Sequence, residues 1–265
     1  MHDEFAFDYD VQGGIATIAL NRPDRLNAIT FEVYAQLRDL TYGLRENSKV
    51  KVVVITGRGK GFCSGGDVHE IIGQLFERDT RDVLEFTRMT GAVVNNLRRL
   101  DQPVIASING IAAGAGAVIA LASDFRILSE NARYAFLFTK VGLAGGDMGA
   151  AYLLPRMVGL GRATEILMLG EPVDAITAQK IGLATKVVPA EELEMTTRDL
   201  AESLANGPTN AFSMTKRMLT NELSMDLEAA IENEASGQAL LLMGRDHREF
   251  YDSFMEKRPA VWTGR

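Results

Sequence analysis

Two runs of β-branched residues, Val50 to Thr56 and Val104 to Ile108, each end in a glycine-rich segment that leads into a helical pattern. Nearly continuous valine and isoleucine marks strands buried on both faces, as in parallel sheets. Parallel neighbours need a crossover, usually a helix, and the sequence supplies one before each later strand. Thr30 is the predicted N-cap of a helix from Phe31 to Asn47, with Phe31, Tyr34, Leu37, Leu40 and Leu44 at helical spacing. A longer amphipathic pattern runs from Asp79 to Leu100, and a further strand is expected at Phe125 to Leu128. Upstream, Phe5 to Val11 and Ile15 to Leu20 flank Gly13-Gly14 and predict a hairpin. From about Ala190 the pattern is helical only, at Leu193 to Asn206, Thr209 to Glu222, Met225 to Met243 and Asp246 to Lys257. The expected organisation is an α/β core over residues 1–189 and a helical C-terminal section over residues 190–265.

The chain has 265 residues, 46% of them hydrophobic, enough to bury a sizeable core. Its net charge of −7 argues against a nucleic-acid groove, whose footprint is basic. The apolar stretch Gly110 to Ala122 is too short to span a bilayer. The start lacks the charged-then-apolar pattern of a secretory signal, so the cytoplasm is the expected compartment. The single cysteine, Cys63, excludes an internal disulfide. With one cysteine and the scattered histidines His2, His69 and His247, no structural zinc site is expected.

The glycine-rich segments are Gly57 to Asp67 and Asn109 to Ala117. Each alone reads as a turn, and the first lacks the spacing of a P-loop. Glycine lets the backbone approach a ligand closely. Two such segments on neighbouring strand ends supply two converging N–H donors, the requirement for an oxyanion hole.

The stretches Asn21-Arg-Pro-Asp-Arg-Leu-Asn-Ala-Ile29, Gly61-Phe-Cys-Ser-Gly-Gly-Asp-Val68, Pro103-Val-Ile-Ala-Ser-Ile-Asn-Gly110, Ser123-Asp-Phe-Arg126, Leu153-Leu-Pro-Arg-Met-Val-Gly159 and Phe254-Met-Glu-Lys-Arg258 resemble, in order, those of the crotonase, or enoyl-CoA hydratase/isomerase, superfamily. The resemblance covers nearly the whole chain. It implies a ββα spiral core, an acyl-CoA thioester substrate whose coenzyme A is the only cofactor-like group, and a homotrimer or homohexamer built with the C-terminal helices. By the same resemblance, Ser64 and Ala115 offer their backbone N–H groups to the thioester oxygen. Arg25, Leu26 and Ala28 lie along coenzyme A, Gly66, Asp67 and Val68 line the adjoining pocket, and Phe254 and Lys257 touch coenzyme A across a subunit boundary.

The departures bear on the reaction. Family hydratases carry two glutamates where this chain has Val118 and Phe138, and neither side chain can move a proton. Asp147 aligns with a carboxylate that shuttles a proton in family isomerases if one extra glycine is allowed at Gly145-Gly146. A carboxylate in an apolar pocket gains a pKa suited to proton exchange. The competing reading is that Asp147 caps a helix starting at Met148. The expected activity is enoyl-CoA isomerisation or hydration with Asp147 as acid/base; the alternatives are an acyl-CoA hydrolase or dehalogenase of the same fold, or a non-catalytic acyl-CoA-binding protein. His69 and Glu70 are expected on a helix surface and Cys63 in packing. Tyr134, Phe136 and Phe138, at strand spacing, form either a wall of the acyl pocket or a buried strand face.

Overall fold

The computed structural model describes residues 5–264, so His2 lies outside the described residues. Strands β1 (Asp8–Gln12) and β2 (Ile15–Leu20) form the expected antiparallel hairpin. Gly13 and Gly14 carry it, with φ of 57° and 82° that a side chain would resist. Helix α1 (Phe31–Gly43) starts where Thr30 Oγ1 accepts the Val33 N–H, and gives way to a tighter turn at Leu44–Glu46. Then come β3 (Val52–Gly57), β4 (Gly61–Cys63), a π-helical turn at Val68–Ile72 with α2 (Gly73–Leu75), and α3 (Thr80–Arg99), capped by Asp79. The next turn of chain repeats the pattern as β5 (Val104–Ile108), β6 (Ile111–Ala113) and α4 (Ala115–Ala122). A third gives β7 (Phe125–Ser129), β8 (Arg133–Ala135), α5 (Ala150–Val158) and α6 (Leu160–Leu169). Then follow β9 (Val173–Asp174), α7 (Ala175–Lys180) and β10 (Lys186–Val188).

Each of these three turns therefore adds one strand to each of two sheets before its helical part. The first sheet runs β1-β2-β3-β5-β7-β10, parallel throughout except for the β1–β2 hairpin; the second runs β4-β6-β8-β9, parallel except for β9. This is the α/β ββα spiral. Val53, Ile55, Val104 and Ala106 turn one face of the first sheet into the large core, where α1, α3 and α4 pack. Val52, Val54 and Ile105 turn the other face to α8 (Leu193–Ala205), through its Leu193, Ala201, Leu204 and Ala205. Helix α4 is buried on every side, as its uniformly apolar sequence requires.

The chain continues through α9 (Thr209–Asn221), α10 (Leu227–Leu242) and α11 (Arg245–Glu256). Lys216 of α9, nearly enclosed, reaches Asp124 at 2.7 Å and the Gln102 carbonyl at 2.9 Å. Asp124 also accepts from Arg98 and from the Val104 N–H, and Arg126 donates to the Leu183 and Ser123 carbonyls. The Ser123–Arg126 motif thus ties the helical section to the base of the sheet. Among the described residues no helix is long and apolar enough to cross a membrane.

The two sheets meet tightly where α4 begins. A Cβ added at Gly116 would lie 2.5 Å from the Cys63 carbonyl oxygen and 2.6 Å from Cys63 Cβ. Gly116→Ala is expected to cost about 1–3 kcal/mol through overpacking, read as a lower urea midpoint at unchanged slope.

Candidate active site

Ser64 follows β4 and Ala115 follows β6, and these strands pair in parallel, with Gly61 opposite Ile111 and Cys63 opposite Ala112. The two loops are therefore neighbours at the same sheet edge. They touch through glycines: a Cβ on Gly65 would lie 3.3 Å from the Ala113 carbonyl oxygen, and one on Gly114 would lie 3.6 Å from Gly65 Cα. Both have positive φ, 100° and 48°. The β4 and β6 strands fall inside segments that the sequence alone presents as loops.

The two N–H groups differ. Ala115 is the first residue of α4, so its N–H has no partner within the helix, and it has no acceptor among the described residues. The Ser64 N–H donates to the Leu26 carbonyl at 2.9 Å, and Ser64 Oγ donates to the Arg25 carbonyl at 3.2 Å. The sequence reading has both N–H groups open, whereas one is already engaged. The cause is the conformation of the Arg22–Ala28 loop, in which Leu26 and Asn27 adopt φ of 49° and 57° and turn the Leu26 carbonyl inward. Asn27 holds that shape: its side chain accepts the Arg22 N–H and donates to the Arg58 and Gly61 carbonyls at 2.9 and 2.7 Å. Asn109 braces the same stretch through the Gly57 and Gly59 carbonyls. Thus the two motif asparagines hold backbone in place.

Of the pocket residues expected from sequence, Arg25, Leu26 and Val68 are exposed, Ala28 is buried and Gly66 is half-buried. Asp67 is buried with its carboxylate turned inward, accepting the N–H groups of His69 and Glu70 and an Arg22 nitrogen at 3.1 Å. The Glu70 and His69 N–H bonds and the Arg22 charge hold its pKa below the usual aspartate value. His69 and Glu70 are exposed on the π-helical turn, and Glu70 pairs with Arg22 at 2.7 Å. Phe254 and Lys257 sit at the exposed C-terminal end of α11, which packs on α10, and no hydrogen bond joins them to the two loops. Cys63 is fully buried, its thiol receiving the Gly65 N–H, and burial pushes its pKa up to about 12, which agrees with a packing role.

Val118 is fully buried and Phe138 nearly so. Tyr134 and Phe136 are wholly enclosed and stacked with centroids 6.2 Å apart, on the side of the buried strand face. Asp147 is half-buried on the loop before α5, where a Cβ on Gly149 would lie 3.8 Å from Val94 of α3. It does not cap α5, which begins at Ala150 with Gly149 at the cap and no side-chain bond there. Its Oδ1 accepts only the adjacent Met148 N–H at 2.9 Å, and burial raises its pKa against that bond. Met148 itself has φ of 49°, a strained conformation for a side chain with a Cβ, of the kind that concentrates at functional sites.

This arrangement of paired loops and one raised carboxylate can be set beside known proteins. The sequence profile of the family "Enoyl-CoA hydratase/isomerase" matches residues 10–265. The chain belongs to that family. A 1,2-epoxyphenylacetyl-CoA isomerase of Escherichia coli K12 is 33% identical over 255 residues, covering 96% of this chain and 97% of its own. A trans-2-decenoyl-[acyl-carrier-protein] isomerase of Streptococcus mutans is 31% identical, covering 97% of each. A crystal structure described as an enoyl-CoA hydratase of Streptomyces coelicolor A3(2) superposes with a TM-score of 0.98 at 52% identity, covering 100% of this chain and 96% of that one. The crotonase fold and an enzyme of the hydratase/isomerase family are thereby established, with the reaction left open. Among the described residues no group of three or more histidine, cysteine, aspartate or glutamate side chains is placed to hold a metal ion.

A family assignment leaves the local role of Asp67 to the structure. Its depressed pKa makes it stabilising when ionised: the contribution is complete above the usual aspartate value and is lost as pH falls through the lower folded value. Asp67→Asn is expected to cost about 1 kcal/mol at pH 7, and the difference from wild type to shrink in strong acid, both read from urea midpoints.

Proposed function

We propose that this enzyme shifts a double bond in an enoyl-CoA thioester, with Asp147 carrying the proton. The observation that bears most on this is a single half-buried carboxylate, raised in pKa and accepting one hydrogen bond, on a strained loop, while Val118 and Phe138 occupy the positions of the two hydratase glutamates. One base suffices for isomerisation. Asp147 removes a proton from the α-carbon of a 3-enoyl thioester, the electron pair moves into the thioester carbonyl, and the same carboxyl returns the proton to the γ-carbon to give the 2-enoyl thioester.

The developing oxyanion takes the Ala115 N–H, which has no other acceptor, together with the Ser64 N–H once the Leu26 carbonyl yields it. Arg25, Leu26, Ala28, Gly66 and Val68 line the run of coenzyme A, Asp67 fixes the loop that carries them, and Phe254 and Lys257 close on it from a neighbouring subunit. The names of the two isomerase relatives support this reading. The hydratase likeness supports a second, in which Asp147 orients water for addition to a 2-enoyl thioester. A homotrimer or homohexamer suits the apolar side chains left exposed on the last helices, among them Leu227, Ile231, Leu240 and Phe254.

Asp147→Asn is expected to lower turnover about 10²–10⁴-fold and, because a raised carboxyl pKa costs stability once ionised, to keep or raise the thermal midpoint. The wild-type rate is expected to rise with pH through a limb lying above 3.8. The reading fails if the variant retains turnover. Mass spectrometry of 3-enoyl- and 2-enoyl-CoAs in heavy water separates a shifted double bond with solvent hydrogen uptake from addition of one water. Solution mass is expected at three or six times the 28.9 kDa chain; a stable monomer removes Phe254 and Lys257 from the site.

A further inference from the structure

Tyr34 lies on the inner face of α1 and is 3% exposed. Its ring stands edge-on to Phe86 of α3, with centroids 5.8 Å apart. The hydroxyl reaches the first loop: it would be 3.9 Å from a Cβ on Gly66, a point that the Ile71 methyl group approaches to 3.7 Å. Burial, with the Cys63 and Asp147 groups acting in the same direction, holds the phenol's pKa well above the usual tyrosine value.

A tyrosine hydroxyl in such a place normally finds a partner. This one makes no hydrogen bond to any described residue, yet it is not sealed off. Tyr134 provides the contrast, because its hydroxyl is also unpartnered but entirely enclosed. The Tyr34 hydroxyl is thus unpartnered yet keeps some accessible surface, beside the Gly66 segment of the first loop. Phe86 and Ile71, which pack beside it, are hydrocarbon and cannot accept its proton. Burial above all, with Cys63 and Asp147 acting in the same direction, keeps the phenol protonated, so it has a proton to donate to a ligand oxygen.

From this geometry we propose that Tyr34 is a specificity-determining residue of the acyl pocket, donating a hydrogen bond to an oxygen on the acyl chain and so favouring oxygenated acyl groups over plain hydrocarbon ones. The inference rests on the reading of the site as an acyl-CoA site. Its physical basis is that a hydrocarbon acyl chain leaves the hydroxyl dehydrated and unpaired, whereas a hydroxyl, ether or carbonyl oxygen satisfies it. Phe31 and Leu37, on the same helix, have no polar atom to serve instead.

The test is calorimetric binding of butanoyl-, pentanoyl- and hexanoyl-CoA beside their hydroxylated counterparts at carbons 3, 4 and 5, for wild type, Tyr34→Phe and Asp147→Asn. Wild type is expected to bind at least one hydroxyacyl-CoA about five- to tenfold tighter than its parent. Tyr34→Phe is expected to abolish that ratio, tightening the parent ligands and weakening the hydroxylated ones, and to keep the thermal midpoint, because no protein hydrogen bond is lost. Asp147→Asn is expected to keep the ratio while losing proton exchange. Equal weakening of both ligand series by Tyr34→Phe, or no preference in wild type, overturns the inference. Failure of every acyl-CoA to bind overturns it together with the reading of the site. A preference that depends on Tyr34 in a protein that exchanges no proton upholds the inference and sinks the proposed reaction.

Discussion

The near contact between Gly65 and Gly114 governs the rest of the molecule. Parallel pairing of β4 with β6 brings the two loop backbones so close that a Cβ on Gly65 would crowd the Ala113 carbonyl, and that approach sets where the Ser64 and Ala115 amides lie. The spiral connectivity serves it, because each turn must place one strand in the large sheet and then a short one in the small sheet before its helical part. Asn27, Asn109 and Asp67 are the polar braces that hold the loops to this geometry, all through backbone groups.

In the proposed reaction, chemistry is concentrated on one residue. Burial raises the pKa of Asp147 with only the Met148 N–H opposing. Asp67, a few residues beyond the first donor, has the opposite fate: enough donors converge on it to keep it ionised and structural. Asp67 and Asp147 are thus driven to opposite pKa directions by hydrogen-bond supply.

The large sheet was legible because β3 and β5 are long enough for a valine and isoleucine run to stand out, and Thr30 was legible as a cap because that role depends on local sequence. The small sheet was not, since β4, β6 and β8 have three residues each and two of them begin or end among glycines. The donor positions are those that the family resemblance implies. The engagement of Ser64 by Leu26 was not legible, because it depends on two left-handed residues that no side-chain pattern announces. Tyr34 was hidden for another reason: at helical spacing with Phe31 and Leu37, it is indistinguishable from packing until the surroundings of its hydroxyl are known. Asp147 could be read as a helix cap until the helix was found to start three residues later.

Cys63 sits beneath the first donor, clasped between Gly65 and Gly116, with a thiol that burial holds protonated up to about 12. Alkylating reagents attack the thiolate of an accessible cysteine, and this sulfur meets neither condition while β4 and α4 remain together. Since it is the one cysteine of the chain, its labelling rate clocks the opening of the core beneath the loops and stays silent to whatever happens in the pocket above them.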